Sequence, residues 1–229
     1  MCESIALSQD AKQIIYGGLL GDSHLHKRVN NIVFAHSEKQ KEYLEWKRSF
    51  FNLNDVGDYR IYNHIYKGTF VTNISFAFRN KNRLFTNFYH KLRKQIYDKN
   101  HRKQVTDGFL RKLTPLGMAV WWMDDGCLSI HKGNRYGKLC THGFNYDEHL
   151  LMQRYFMEKW DVKVDIKVEK RKYFFLRLNV VNLKKLITII YPYVVQVPSL
   201  IYKIDLDYKN KIEMEDFKPI YDDIKKYIA

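Results

Sequence analysis

Cysteine is scarce in this chain. The three present, Cys2, Cys127 and Cys140, show no CxxC spacing and no even-numbered framework, which argues against a disulfide scaffold or a structural zinc site and for a reducing, intracellular compartment. Long apolar runs are missing as well. None approaches the roughly 18 residues that span a bilayer, and the N-terminus lacks a basic stretch followed by an apolar one. A soluble protein with no membrane partner is expected. Basic residues do not collect into a tail, so the charge belongs to a folded body.

What the chain has in quantity is positive charge and aromatic surface. Its 229 residues carry 39 Lys and Arg against 25 Asp and Glu, a formal charge of +14 with a pI near 9.5. This exceeds what solubility requires and points to a polyanionic partner, nucleic acid or an acidic membrane surface. A content of 45% hydrophobic and 15% aromatic residues predicts a packed core. Residues 1–113 hold 20 basic against 10 acidic side chains, and residues 114–229 hold 19 against 15.

The stretch LTPLGMAVWWMDDGCL, Leu113 to Leu128, predicts a short buried helix begun by Thr114 and Pro115 and stopped by Gly126. It ends in Asp124 and Asp125. Carboxylates are the wrong sign for a helix C-terminus unless a cation sits there; an ordinary Asp-Gly turn is the alternative. A second helix is predicted over Leu7 to Leu20, capped by Ser8. Its end, IIYGGLLGDSH, carries Gly17, Gly18 and Gly21, each costing roughly 1 kcal/mol relative to Ala in an ordinary helix. Close approach of another backbone would explain them, and Asp22 follows at once.

The two stretches IYGGLLGDS (Ile15 to Ser23) and MAVWWMDDG (Met118 to Gly126) resemble the paired signature of the LAGLIDADG homing endonucleases in their single-chain, two-motif form. The succession after each motif agrees. Strands are expected at His24–Arg28, Ile32–His36, Tyr59–Tyr66 and Phe70–Phe78, with helices near Glu38–Phe51 and Leu84–Tyr97. Beyond Asp125 the order recurs: strands at Leu128–His131, Lys138–Phe144, Val162–Glu169 and Phe174–Val180, with helices at Asp147–Trp160 and Leu183–Tyr193. The chain reads as an α+β internal duplication of αββαββα units, divided into residues 1–97, a basic linker 98–113, residues 114–206 and a tail 207–229. Saddle-shaped antiparallel sheets facing DNA, with helices behind, are what the resemblance implies.

Strand alternation selects a polar face suited to phosphates and base edges in a major groove that admits a β-ribbon. Candidate DNA contacts are His24, His26, Arg28, Arg60, Tyr62, His64, Asn73, Ser75 and Arg79 in the first half. In the second they are His131, Lys132 and Arg135 in the expected hairpin His131 to Lys138, then Lys163, Lys167, Arg177 and Asn179. The Lys91–Lys112 region is dense enough in charge to lie along DNA.

The resemblance assigns catalysis to Asp22 and Asp125. It implies Mg²⁺, or another divalent ion such as Mn²⁺, held by these acids and by the main-chain carbonyls of Gly21 and Asp124, with the Asp124 side chain peripheral. By motif position Lys103 and Lys203 are the accompanying lysines. Cleavage of both strands across the minor groove, leaving 3′ overhangs, by a monomer on a long asymmetric site is implied. An intron maturase acting on RNA is the alternative. Two departures bear on packing: Ser23 replaces the final glycine of the first motif, and Trp121 and Trp122 make the second bulky. The termini show no protein-splicing junction, so a free-standing intron-encoded protein is expected.

Overall fold

The structure is a computed structural model that describes residues 7–79, 83–131, 134–206 and 217–227. The first half runs α1 (Gln9–Leu20), β1 (His24–Leu25), β2 (Asn31–Ser37), α2 (Lys41–Ser49), β3 (Arg60–Tyr66), β4 (Thr69–Arg79) and α3 (Arg83–Ile96). A one-turn helix, α4 (Asp107–Leu110), precedes the second half. That half comprises α5 (Pro115–Asp125), β5 (Gly126–His131), β6 (Asn134–Leu139), α6 (Tyr146–Trp160), β7 (Asp165–Glu169), β8 (Tyr173–Asn179) and α7 (Val180–Val194). A final helix, α8 (Lys218–Lys225), buries Ile224 beside α7.

Each half forms one four-stranded antiparallel sheet. Their orders are β1-β2-β4-β3 and β5-β6-β8-β7, the same topology twice. In each sheet the alternate side chains on one face are core: Ile32, Phe34, Ile74, Phe76 and Phe78 in the first, Leu139, Leu176 and Leu178 in the second. The helices cover those faces and join both halves in one continuous core.

Glycine brings α1 and α5 into backbone contact. A Cβ at Gly17 would lie 2.2 Å from the Gly117 carbonyl oxygen and 2.7 Å from Val120 Cβ, so only hydrogen fits. The tryptophans of α5 do not obstruct this crossing because they point elsewhere. Trp121 packs on Phe156, and Trp122 lies against Gly126 and donates from Nε1 to the Lys203 carbonyl at 3.0 Å. Ser23 is fully buried, its amide donating to the Gly18 carbonyl at 2.8 Å.

Some expected elements shift. The first strand ends at Leu25 instead of Arg28, because His26 Nδ1 accepts from the Arg28 and Val29 amides and turns the chain. Residues 134–139, expected as loop and the start of a strand running to Phe144, are strand β6, which stops at Leu139. The chain is then re-set for α6 by a capping box in which Asn145 and Glu148 bond reciprocally. The basic connection between halves spends much of its charge on ion pairs and hydrogen bonds of its own. Arg102 pairs with Asp98 and Glu148, Arg111 with Asp107 and Glu158, and Lys112 donates to Gln95. Among the described residues no helix is long and apolar enough to cross a membrane.

Candidate active site at the helix crossing

Asp22 follows α1 after the cap residue Gly21, and Asp125 is the last residue of α5. Each helix feeds an edge strand, β1 or β5. Each acid therefore stands where one of the two crossing helices hands over to an edge strand.

A lysine meets the carbonyls at each helix end. Lys103, just after α3, donates to the Gly21 oxygen at 2.7 Å. Lys203, the last residue of the 3-10 helix Pro198–Lys203 that follows α7, donates to the oxygens of Met123 at 2.5 Å and Asp124 at 3.2 Å. The cation that each negative helix pole calls for is thus partly supplied by an ammonium. Burial lowers the pKa of both lysines, and the neighbouring aspartates work against that shift.

Asp124 departs from its expected peripheral role. Gly21, having no side chain, leaves room for it: a Cβ there would stand 2.5 Å from Asp124 Cβ. The Asp124 carboxylate therefore enters the first half, fully buried. Its Oδ1 accepts from Lys47 Nζ at 2.6 Å and the Tyr43 hydroxyl at 2.8 Å, and its Oδ2 accepts from the Asp22 amide at 3.1 Å. Lys47 Nζ also lies 3.0 Å from His36 Nε2, and His36 Nδ1 lies 3.4 Å from Asp22 Oδ2. Ligand-type atoms of Asp22, His36 and Asp124 come within 4.8 Å of one another, but the Lys47 ammonium already supplies that cluster's positive charge.

The acids titrate differently. At Asp22, burial acts to raise the pKa, but the hydrogen bond and charge of His36 with Lys47 and Lys203 bring it below the ordinary value. Asp125 is pushed up to about 8 by burial and by the charges of Asp124 and Asp22, against the pull of Lys103 and Lys203. Burial and Lys47 lower the His36 pKa, and burial with Asp124 raises that of Tyr43. An acid at about 8 beside two others is short of positive charge. The Asp22 and Asp125 carboxylates and the Gly21 and Asp124 carbonyls are hard oxygens, the donor type that a hard divalent cation takes.

Most candidate contacts of the first sheet share its outward face. Pairing places Arg60 opposite Ser75 and Tyr62 opposite Asn73, and Arg79 opposite Asn31, while His24 lies opposite Val33. His24, Arg60, Tyr62, His64 and Arg79 are exposed, and Asn73 contacts His64 at 3.4 Å. Ser75 is the exception, buried at the sheet centre beside the Arg60 carbonyl. His26 and Arg28 are exposed in the turn after β1.

The second sheet requires more correction. Arg135 alternates with Gly137 and Leu139, so it belongs to the helix-facing side and lines a cavity with Leu183, Asp205 and Leu206. Asn179 is exposed but caps α7, its Oδ1 accepting from the Asn182 amide. Lys163 is exposed ahead of β7, and Lys167 and Arg177 hold the outward face. His131 closes the β5–β6 ladder opposite Asn134, and Lys132 lies outside the described residues. Tyr136 and Lys138 also face outward. They underlie two cation–π shelves, Arg177 over Tyr136 and Lys138 over Phe175, each at 4.5 Å. Periodicity does not expose this pair, because glycines flank them and the segment reads as a loop.

The chain resembles known proteins along most of its length. It is 26% identical over 219 residues to the cytochrome b mRNA maturase bI2 of Saccharomyces cerevisiae, covering 86% of this chain and 48% of the maturase. It is 29% identical over 131 residues to the RecA protein of Mycobacterium shimoidei, where 54% of this chain covers 27% of the relative. The chain thus spans about a quarter to a half of the length of these relatives. Its fold matches that of the homing endonuclease I-WcaI, solved bound to its DNA recognition sequence, with a TM-score of 0.74 at 20% identity over 88% of each chain. The sequence pattern of the LAGLIDADG DNA endonuclease family fits residues 12–186, and with the duplicated fold and its paired helix-end acids this makes the chain a member of that family.

Proposed function

We propose that the protein is a monomeric, site-specific endonuclease that cuts both strands of a DNA duplex across the minor groove and leaves 3′ overhangs. One observation supports this reading: the two motif acids stand at the ends of the two helices that cross, each beside a carbonyl met by its own lysine and each leading into an edge strand of its own sheet. Asp22 and Asp125, with the Gly21 and Asp124 carbonyls, would hold Mg²⁺ or Mn²⁺. A divalent ion so held supplies Lewis acidity at the scissile phosphate and a more acidic attacking water. Lys103 and Lys203 keep those carbonyls aimed inward and place positive charge where the phosphate arrives. The outward faces position the duplex, Arg and Lys on phosphates and the His, Asn and Tyr groups at base edges.

The test is incubation with Mg²⁺ and duplex DNA spanning the uninterrupted form of the gene that flanks the coding sequence. Double-strand cleavage is expected, reduced at least a thousandfold in Asp22→Asn and in Asp125→Asn. Full cleavage by either variant rejects the assignment of the acids. The similarity to a maturase over 219 residues favours a second reading, intron RNA binding on the same surface. Stimulated splicing of a host intron with no DNA cleavage would select it.

A further inference from the structure

The hydrogen-bond chain from Lys47 through His36 to Asp22 has a direction. An ammonium has only donors to offer, so at 3.0 Å from Lys47 Nζ the His36 Nε2 must be the acceptor and carry no proton. The ring proton therefore sits on Nδ1, which is buried, lacks a closed hydrogen bond and aims at Asp22 Oδ2 3.4 Å away. The Asp22 carboxylate is 45% exposed and free to close that gap by rotation, whereas the His36 side chain is 1% exposed and fixed. Lys47 is itself fixed by the fully buried Asp124 carboxylate.

Among the described residues nothing equivalent serves the other acid. The buried histidine of the second half, His149, uses both ring nitrogens locally, Nε2 with the Thr141 hydroxyl and Nδ1 with the Asn145 carbonyl, each at 2.7 Å. Among the described residues no side chain donates a hydrogen bond to the Asp125 carboxylate. The second half has also given its extra acid, Asp124, to the first.

We propose that His36, in the Nδ1-protonated form imposed by Lys47, is a positioning residue for Asp22, and that it makes the two half-sites unequal, so that the strand served by Asp22 is cut first. The inference rests on the endonuclease reading, and its physical basis is preorganisation: a carboxylate already oriented loses less freedom on reaching the reactive geometry.

Two measurements test it. On target duplex labelled separately on each strand, wild-type protein with Mg²⁺ is expected to nick one strand about tenfold faster than the other. His36→Ala should slow that strand at least tenfold while changing the other less than twofold, and His36→Gln, whose amide can still donate to Asp22, should restore most of the difference. A general folding defect would slow both strands alike. Equal slowing, no change, or an effect confined to the slower strand overturns the proposal. Independently of cleavage, ¹⁵N-histidine NMR of the full chain should show a protected Nδ1–H of His36 that is lost in Asp22→Ala and kept in Asp125→Ala. If this signal is present in a protein that cuts no DNA, the endonuclease reading fails and the positioning role stands. If DNA is cut without it, the positioning role fails alone.

Discussion

The two halves share one connectivity and one strand order, yet they treat their polar interiors in opposite ways. Behind the first sheet lies a charged cluster of Lys47, His36, Tyr43 and the intruding Asp124. Behind the second, the buried pair Thr141 and His149 is neutral in its contacts and satisfied within its own loop and helix. Duplication fixes where backbones run. It leaves each half free to decide which buried positions carry charge, and here a single residue pair, Gly21 and Asp124, breaks the symmetry.

The largest expected effect of disturbing this contrast is at the buried ion pair. Lys47→Met strands Asp124 without its cation and should lower unfolding stability in urea by about 3–5 kcal/mol, whereas the double variant Lys47→Met with Asp124→Leu should recover most of that loss. If the single change is neutral, the cluster is not an anchor between halves. Next comes the crossing. Gly17→Ala drives a methyl group toward the Gly117 carbonyl and should cost about 1–3 kcal/mol, while Gly108→Ala, which meets nothing within 4 Å, should be neutral or slightly stabilising. The capping box of the second half is a smaller lever. Glu148→Ala removes bonds to Asn145, Val105 and Arg102 and should cost roughly 1–2 kcal/mol, read by thermal unfolding.

The smallest effect concerns acid. Burial lowers the His149 pKa from its ordinary 6.5, so the unfolded chain binds a proton before the folded one does. Stability from this site is complete above pH 6.5 and is lost as pH falls toward the folded value. The slope is below about 1.4 kcal/mol per pH unit. His149→Gln should flatten the acid limb of a stability profile by that contribution, and an unchanged limb would show that His149 titrates normally.

The duplicated αββαββα pattern was legible because it is written locally. Alternation in β7 and β8 and the glycines of α1 each leave a short-range mark, and Ser8 caps α1 as its position suggests. The acids at the helix ends were legible for the same reason. What stayed hidden depends on contacts between distant segments. Arg135 looks like a basic loop residue until the ladder with β5 places it on the helix side. Asp124 looks peripheral until the missing side chain of Gly21 is seen as the space it enters. His36 was hidden on a strand whose inward positions are otherwise apolar. Lys47 did leave one sign, falling on the buried stripe of α2 with Tyr43 and Leu44, where a lysine has no reason to be unless an acid awaits it.

The missing side chain at Gly21 has a consequence for assembly. Two first halves brought together would set glycine against glycine and leave a Lys47 in each core with no acid to neutralise it. Two second halves would force one Asp124 onto the other, two anions colliding in the space that now holds one. Only unlike halves set one acid against one Lys47, and what makes them unlike at this point is a hydrogen atom in one where its twin carries a carboxylate.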